Sequence, residues 1–281
     1  MGKTQASRLS DRGSPNIRDT IFKSIAERRV GAVIWSRQEG VVAGVKQLER
    51  KAAEIGLSVE MVVREGDEVA ASGAIAFIAG TPKQISLAED CLIGLVAKAS
   101  GIATAARKAV GLSGKKVTVV SGGWKKVPLP IKEEIREAIR IGGVGVRITE
   151  KPFVYLDKNY VRMFGSIPDA LRSVASLKER IKVVQIRGET GDISDEAVEA
   201  AMRGAGIVMV DTGNIVDLES VSDALMAAGL RRKVKIAFGG SILIDDIPSF
   251  LDMDVDILDI GRAIIDAPML DIGLDVRLAG P

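Results

Sequence analysis

The chain has 281 residues, 47% of them apolar, with 39 basic and 37 acidic side chains and a formal charge of +2. That length holds one large α/β barrel or two ordinary domains around a substantial core, and the even charge excludes recruitment of nucleic acid or a membrane surface by an overall field. Histidine is absent, which removes imidazole zinc sites, Ser-His-Asp hydrolysis and histidine general bases together.

In chain order, residues 1–17 are polar, contain Gly13 and Pro15, and read as a frayed terminus. A short amphipathic helix is predicted over Ile21 to Arg29, a strand over Val30 to Ser36, and a helix over Lys46 to Ile55 with Leu48 and Ala52 inward. Ser58 to Arg64 alternates like a half-exposed strand, Glu65-Gly66-Asp67 turns, and Ala74 to Ala79 returns. A long helix follows from Ser86 to about Val110, interrupted by Gly94 and Gly101, with Ser86 and Glu89 spaced as a capping box.

The rhythm then changes. Val117 to Val120 and Phe153 to Leu156 read as strands, and Ile131 to Ile141 and Ile167 to Arg180 as helices. Beyond them, apolar runs at 182–187, 207–213, 234–241 and 257–262 each end in a polar or glycine cluster, the pattern of a parallel sheet with covering helices. The lone Cys91 lies in an apolar helical run and reads as a buried thiol. No apolar run approaches a membrane span and no secretory leader is evident, so no membrane partner and a cytoplasmic protein are expected. Aromatics make up 4% and do not cluster among basic residues, against stacking on single strands of nucleic acid.

In such sheets, residues just past the carboxyl ends of the strands face the ligand. Gly239-Gly240-Ser241 and Gly261-Arg262 can therefore cradle a phosphate on main-chain amides, or can simply make tight βα turns. By itself Asp211-Thr212-Gly213-Asn214 reads more readily as a capped strand-to-helix turn than as a metal-binding acid.

The segments Glu39 to Gly44, Glu65 to Val69, Ser100-Gly101-Ile102-Ala103-Thr104, Val210-Asp211, Phe238 to Ile242 and Ala267-Pro268-Met269-Leu270-Asp271-Ile272 stand in the order found in quinolinate phosphoribosyltransferases. The chain resembles that family over roughly residues 20–278. The resemblance implies a type II fold: an N-terminal α/β sandwich over 18–99, completed by 270–281, and a parallel α/β barrel of six or seven strands over 100–269. It also implies a homodimer or larger assembly with the active site between one subunit's sandwich and another's barrel. The family joins quinolinate to phosphoribosyl pyrophosphate with Mg2+, releasing pyrophosphate and carbon dioxide and forming nicotinate mononucleotide in NAD biosynthesis.

Carried onto this sequence, Gly239, Gly240, Ser241 and Gly261, with Arg262 beside it, match the phosphate positions, Lys125 a lysine near the pyrophosphate, and Asp211 the strand-end acid expected to meet the metal. The acid-recognition set departs. Asp90 stands where the family has an arginine, Gly123-Trp124-Lys125-Lys126 where it has Thr-Arg-Lys-Thr, and Asp157-Lys158 where it has a strand-end lysine. Arg147 is retained, and the family's strand-end glutamate falls near Gln185 or Arg187. A dicarboxylate leaving water needs fixed cations, so quinolinate is expected to bind poorly.

Three readings stay open. One is a phosphoribosyltransferase for a less acidic nitrogen heterocycle, with Trp124 as a stacking surface and Arg147 or Asp157 orienting the ring. Another is an exacting quinolinate enzyme. The third is a non-catalytic binder of a phosphorylated sugar or nucleotide.

Overall fold

The computed structural model describes residues 16–277; the expectations for residues 1–15 and 278–281 lie outside them. The described chain opens with α1 (Ile17–Ile21), whose N-cap Asn16 accepts from the Arg18 amide. The helix expected over Ile21 to Arg29 is thus displaced: a 3-10 turn at Lys23–Ile25 follows, and Arg18 ties the segment to Ser86 Oγ at 3.0 Å and to Asp90.

A four-stranded antiparallel sheet forms next from β1 (Val30–Ser36), β3 (Ser58–Met61), β5 (Ala74–Gly80) and β12 (Ile272–Arg277), in the order β12-β1-β5-β3. The chain's last described strand therefore completes its first sheet, with Ile34 opposite Leu274. Between these elements lie β2 (Gly40–Val41), α2 (Val45–Ile55) and β4 (Glu68–Val69), and β2 pairs with β4. Leu48 and Ala52 of α2 are fully buried against this sheet. The strand expected to reach Arg64 stops at Met61, because the chain leaves it to turn at Glu65-Gly66-Asp67 into β4. The Glu65 carboxylate accepts from the Gly44 and Lys46 amides at 3.0 and 3.2 Å, capping α2 from outside its own segment.

Helix α3 (Pro82–Ser113) starts earlier than its sequence suggests. The capping box is Thr81 with Gln84, and Pro82 occupies the first turn, where its missing N–H costs nothing. Gly94 and Gly101 do not interrupt it. Gly101 serves a close approach instead: a Cβ there would stand 2.0 Å from the Pro268 carbonyl oxygen. Ser100 Oγ accepts from the Ala43 amide and Thr104 Oγ1 from the Val41 amide, both at 2.9 Å, while the Leu270 amide donates to Ala97 O. Three of the most recognisable segments thus meet at one joint between sandwich and barrel.

The second sheet holds six parallel strands: β6 (Thr118–Val120), β7 (Phe153–Leu156), β8 (Ile181–Ile186), β9 (Ile207–Asp211), β10 (Lys235–Gly239) and β11 (Ile257–Asp259). Sequence neighbours pair from β7 to β11, β11 pairs with β6, and the ring is open only between β6 and β7. A single bridge, Val120 to Gly145, extends β6 toward that gap. Around it stand α4 (Lys132–Ile141), α5 (Lys158–Phe164), α6 (Ile167–Ser173), α7 (Ile193–Met202), α8 (Ile215–Ala227), α9 (Ile247–Phe250) and α10 (Arg262–Ile265). The helix expected from Ile167 to Arg180 ends at Ser173, and α5 is an addition: Asp157 caps it by accepting from the Asn159 and Tyr160 amides. Phe238 is fully buried, 5.5 Å from Phe250 ring to ring, and anchors the strands to the outer layer.

Candidate active site

The strands' carboxyl ends open into a cavity of about 860 Å³. Its rim is built by two kinds of loop. After β10, Gly240 has φ of +114° and Ser241 of +62°, and the loop is locked against the one after β9, where the Gly213 amide donates to Gly239 O at 2.9 Å. A Cβ on Gly213 would meet the Gly240 carbonyl oxygen at 2.1 Å. Ser241 is a non-glycine residue held in the left-handed region, a cost that turns successive amides toward one concavity. The amides of Ser241 and Ile242, and of Gly261, Arg262 and Ala263 after β11, donate to no acceptor among the described residues, and all five residues line the cavity.

The other arc is made of side chains that satisfy one another. Asp211 at the end of β9 accepts from Arg187 Nη1 at 3.0 Å and from Gln185 Nε2. Gln185 Oε1 in turn accepts from the Lys158 amide at 2.9 Å, and Arg162 grips Glu189 through two bonds of 2.8 Å. Beneath them the buried Glu196 carboxylate accepts from the Arg187, Gly188 and Thr190 amides and from Thr190 Oγ1, at 2.6 to 3.0 Å. Glu196 fixes the loop that presents Arg187, and nothing in the local sequence marks it, since its partners are backbone groups reached by a turn.

On the floor, Asp259 Oδ1 accepts from the Gly122 amide at 2.8 Å. Burial pushes its carboxyl above the usual range, opposed by that amide and by Lys125. Lys125 Nζ lies 4.9 Å from the Tyr155 ring centroid, and burial raises the Tyr155 phenol, with Asp259, Asp211 and Asp157 adding to the rise. Sequence reasoning missed Asp259 and Tyr155 because both sit inside apolar runs that read only as strands.

Of the residues singled out from sequence, the cavity gathers Lys125, Asp157, Gln185, Arg187, Asp211, Gly239, Gly240, Ser241, Gly261 and Arg262. Four do not join them within one chain. Asp90 on α3 pairs with Arg18. Trp124, expected as a stacking surface, donates its indole N–H to Val146 O at 3.0 Å and lies under the Arg136 guanidinium at 4.6 Å. Arg147, expected to orient the ring, stacks over Phe153 at 5.0 Å. Lys158 lines a smaller neighbouring cavity of about 270 Å³ with Arg162 and Glu196.

The Mg2+ that the resemblance implies would meet one or two carboxylates at this mouth and take its other ligands from donor phosphates and water. Asp211 is engaged by Arg187 and Gln185, Asp157 by its capping bonds, and no group of three or more Cys, Asp or Glu among the described residues is placed to hold an ion. No described helix is long and apolar enough to cross a membrane.

Residues 102–275 match the quinolinate phosphoribosyl transferase C-terminal domain and residues 19–100 the N-terminal domain of the same family. The chain is 28% identical over 274 residues to a probable nicotinate-nucleotide pyrophosphorylase (carboxylating) of Methanothermobacter thermautotrophicus, covering 95% of this chain and 96% of that protein. A protein of the same description from Archaeoglobus fulgidus is 29% identical over 255 residues, covering 90% and 96%. The crystal structure of nicotinate-nucleotide pyrophosphorylase from Pyrococcus furiosus superimposes with a TM-score of 0.79 at 24% identity, over 98% of this chain and 78% of that one.

Proposed function

The chain belongs to the quinolinate phosphoribosyltransferase family, and from that premise we propose that it transfers phosphoribosyl from phosphoribosyl pyrophosphate to a nitrogen heterocycle carrying fewer carboxylates than quinolinate. Support for the donor half comes from the five free amides at Ser241, Ile242, Gly261, Arg262 and Ala263, the groups a 5′-phosphate needs. Lys125, with Lys126 beside it, stands at the cavity wall to receive the departing pyrophosphate. The transfer breaks the bond from the sugar's anomeric carbon to pyrophosphate oxygen and forms one to the ring nitrogen.

The observation that carries the acceptor half is charge. Lys125, Lys126, Arg187 and Arg262 line the cavity against Asp157, Asp211, Asp259 and Asp266, a formal sum of zero before an anionic donor arrives. A further dianion would find no matching cations on this chain, at about 1–3 kcal/mol for each unmet contact. The homodimer implied by the resemblance belongs to this reading, with the partner's sandwich closing the mouth; light scattering on the purified chain tests it.

The test is pyrophosphate release from phosphoribosyl pyrophosphate with pyridines bearing two, one or no carboxylates. A one- or zero-carboxylate ring turning over fastest, and loss of release in Asp211→Ala, supports the proposal; quinolinate as the best acceptor overturns it. One observation favours a second reading, a binder without transfer: Asp211 is already held by Arg187 and Gln185. That reading requires a melting temperature raised by the donor with no release from any ring.

A further inference from the structure

The opposite end of the barrel carries a second cavity, of about 700 Å³, at the amino ends of the strands. Its floor is apolar: Ile148, Ile181, Ile207 and Ile257 are the lower layer of the same inner core whose upper residues, Met209 and Tyr155, face the first cavity. Its rim is cationic. Lys151, Arg231, Arg232, Lys233 and Lys235 line it against one carboxylate, Asp256, in a chain whose overall charge is only +2.

These cations are not alike. Arg231 is a fastener: Nε donates to Asp254 at 2.6 Å, Nη2 to Asp256 at 2.9 Å and Nη1 to Val234 O at 2.9 Å, while Asp256 also accepts from the Ile236 amide at 2.8 Å. That network pins the turn at Arg231–Lys233 to the sheet and uses up the only lining carboxylate. Arg232, Lys233, Lys235 and Lys151 are left with no ion-pair partner among the described residues; the first two are projected from the fixed turn and Lys235 from the start of β10. Thr118 and Thr149 add hydroxyls at the same rim.

From a preformed apolar floor under four unpaired cations, the geometry points to a nucleoside phosphate bound at this lower mouth, its base on the isoleucines and its phosphates on Arg232, Lys233, Lys235 and Lys151. A cavity of this size suits such a ligand, and an inorganic anion would leave the floor unused. The assignment does not depend on what the upper mouth transfers.

The full-length protein carrying Lys125→Ala, which weakens the upper anion site, is titrated with ATP, tripolyphosphate and adenosine by calorimetry. ATP should bind saturably, with tripolyphosphate and adenosine each at least about tenfold weaker, because each meets only half of the site. Adding Arg232→Glu and Lys235→Glu should weaken ATP by about a hundredfold, and Lys151→Glu, from a separate segment, by about tenfold, with unchanged melting temperatures since all three side chains are exposed. ATP affinity that ignores both sets of charge reversals, or that merely equals tripolyphosphate, overturns the assignment. Loss of pyrophosphate binding in Lys125→Ala reports on the upper mouth alone, so the two readings fail separately.

Discussion

The two arcs of the upper rim solve the problem of presenting polar groups in opposite ways. After β10 and β11 the donors are main-chain amides held by loop geometry, and those of Ser241, Ile242, Gly261, Arg262 and Ala263 have no acceptor among the described residues. Between β7 and β9 the donors and acceptors are side chains that already bind one another through Gln185, Asp211, Arg187, Glu189 and Arg162. An amide in a rigid loop cannot reorganise, so it stays available to an anion; a side chain can turn to its neighbour and must be won back. The first arc is therefore suited to a ligand group that never changes, and the second to one whose identity can drift.

The largest effect should come from breaking the rigid arc. Gly213 has φ of +70°, and a Cβ there would meet the Gly240 carbonyl oxygen at 2.1 Å. Gly213→Ala should cost about 2–5 kcal/mol from left-handed strain and overpacking together, and should abolish the stabilisation that pyrophosphate gives in thermal melts. If that protein keeps its melting temperature and its response to pyrophosphate, the loops after β9 and β10 are not rigid. Next in size is the support under the flexible arc. Glu196→Ala strands the amides of Arg187, Gly188 and Thr190 in a buried setting, at about 1–3 kcal/mol. Hydrogen exchange should speed up at the Arg187, Gly188 and Thr190 amides while the Gly213 amide, bonded to Gly239 O, keeps its rate.

How much of this was legible follows the same division. Residues 30–36 and 153–156 match strands β1 and β7 because apolar runs bounded by turns leave little choice. That Gly239, Gly240 and Gly261 line the mouth was legible because glycines closing apolar runs mark βα turns, which gather at one end of a parallel sheet. The start of α3 was not, since Thr81 with Gln84 and Ser86 with Glu89 share one spacing and only Pro82 decides between them. Trp124 and Arg147 were placed in the mouth by their position in a motif, yet each found a partner in its own neighbourhood, Val146 O and the Phe153 ring. Asp259 and Glu196 escaped notice because their partners lie 137 and 6 to 9 residues away on backbone amides, which carry no sequence signature.

A smaller effect sharpens the comparison from the flexible side. Arg187→Ala removes the guanidinium from Asp211, and because about a third of each side chain is exposed the loss of stability should stay near 0.5–1 kcal/mol. Under the proposed transfer the acceptor KM should rise several-fold, since Arg187 is one of four cations lining the mouth, while the donor KM stays put. An equal change in both would mean that the arcs act as one unit.

The smallest effect concerns the floor that joins the arcs. Asp259 has a native pKa raised above its ordinary 3.8, chiefly by burial. A raised acid binds its proton more tightly in the native than in the unfolded state, so its contribution to stability is greatest below 3.8 and is lost as pH rises through the native value. Asp254 works in the other sense: its bonds to Arg231 and Ser222 lower its pKa, and the stability it contributes disappears on acidification. The whole-protein melting curve mixes the two, so the informative quantity is the difference between the native chain and Asp259→Asn, followed from about pH 4 to about pH 8. Asp259→Asn should gain relative stability as pH rises, because the amide has no charge to bury while the aspartate acquires one. A difference that is flat, or that runs the other way, would mean the Gly122 amide and Lys125 outweigh burial, and the floor would then present a fixed negative charge to whatever ring enters.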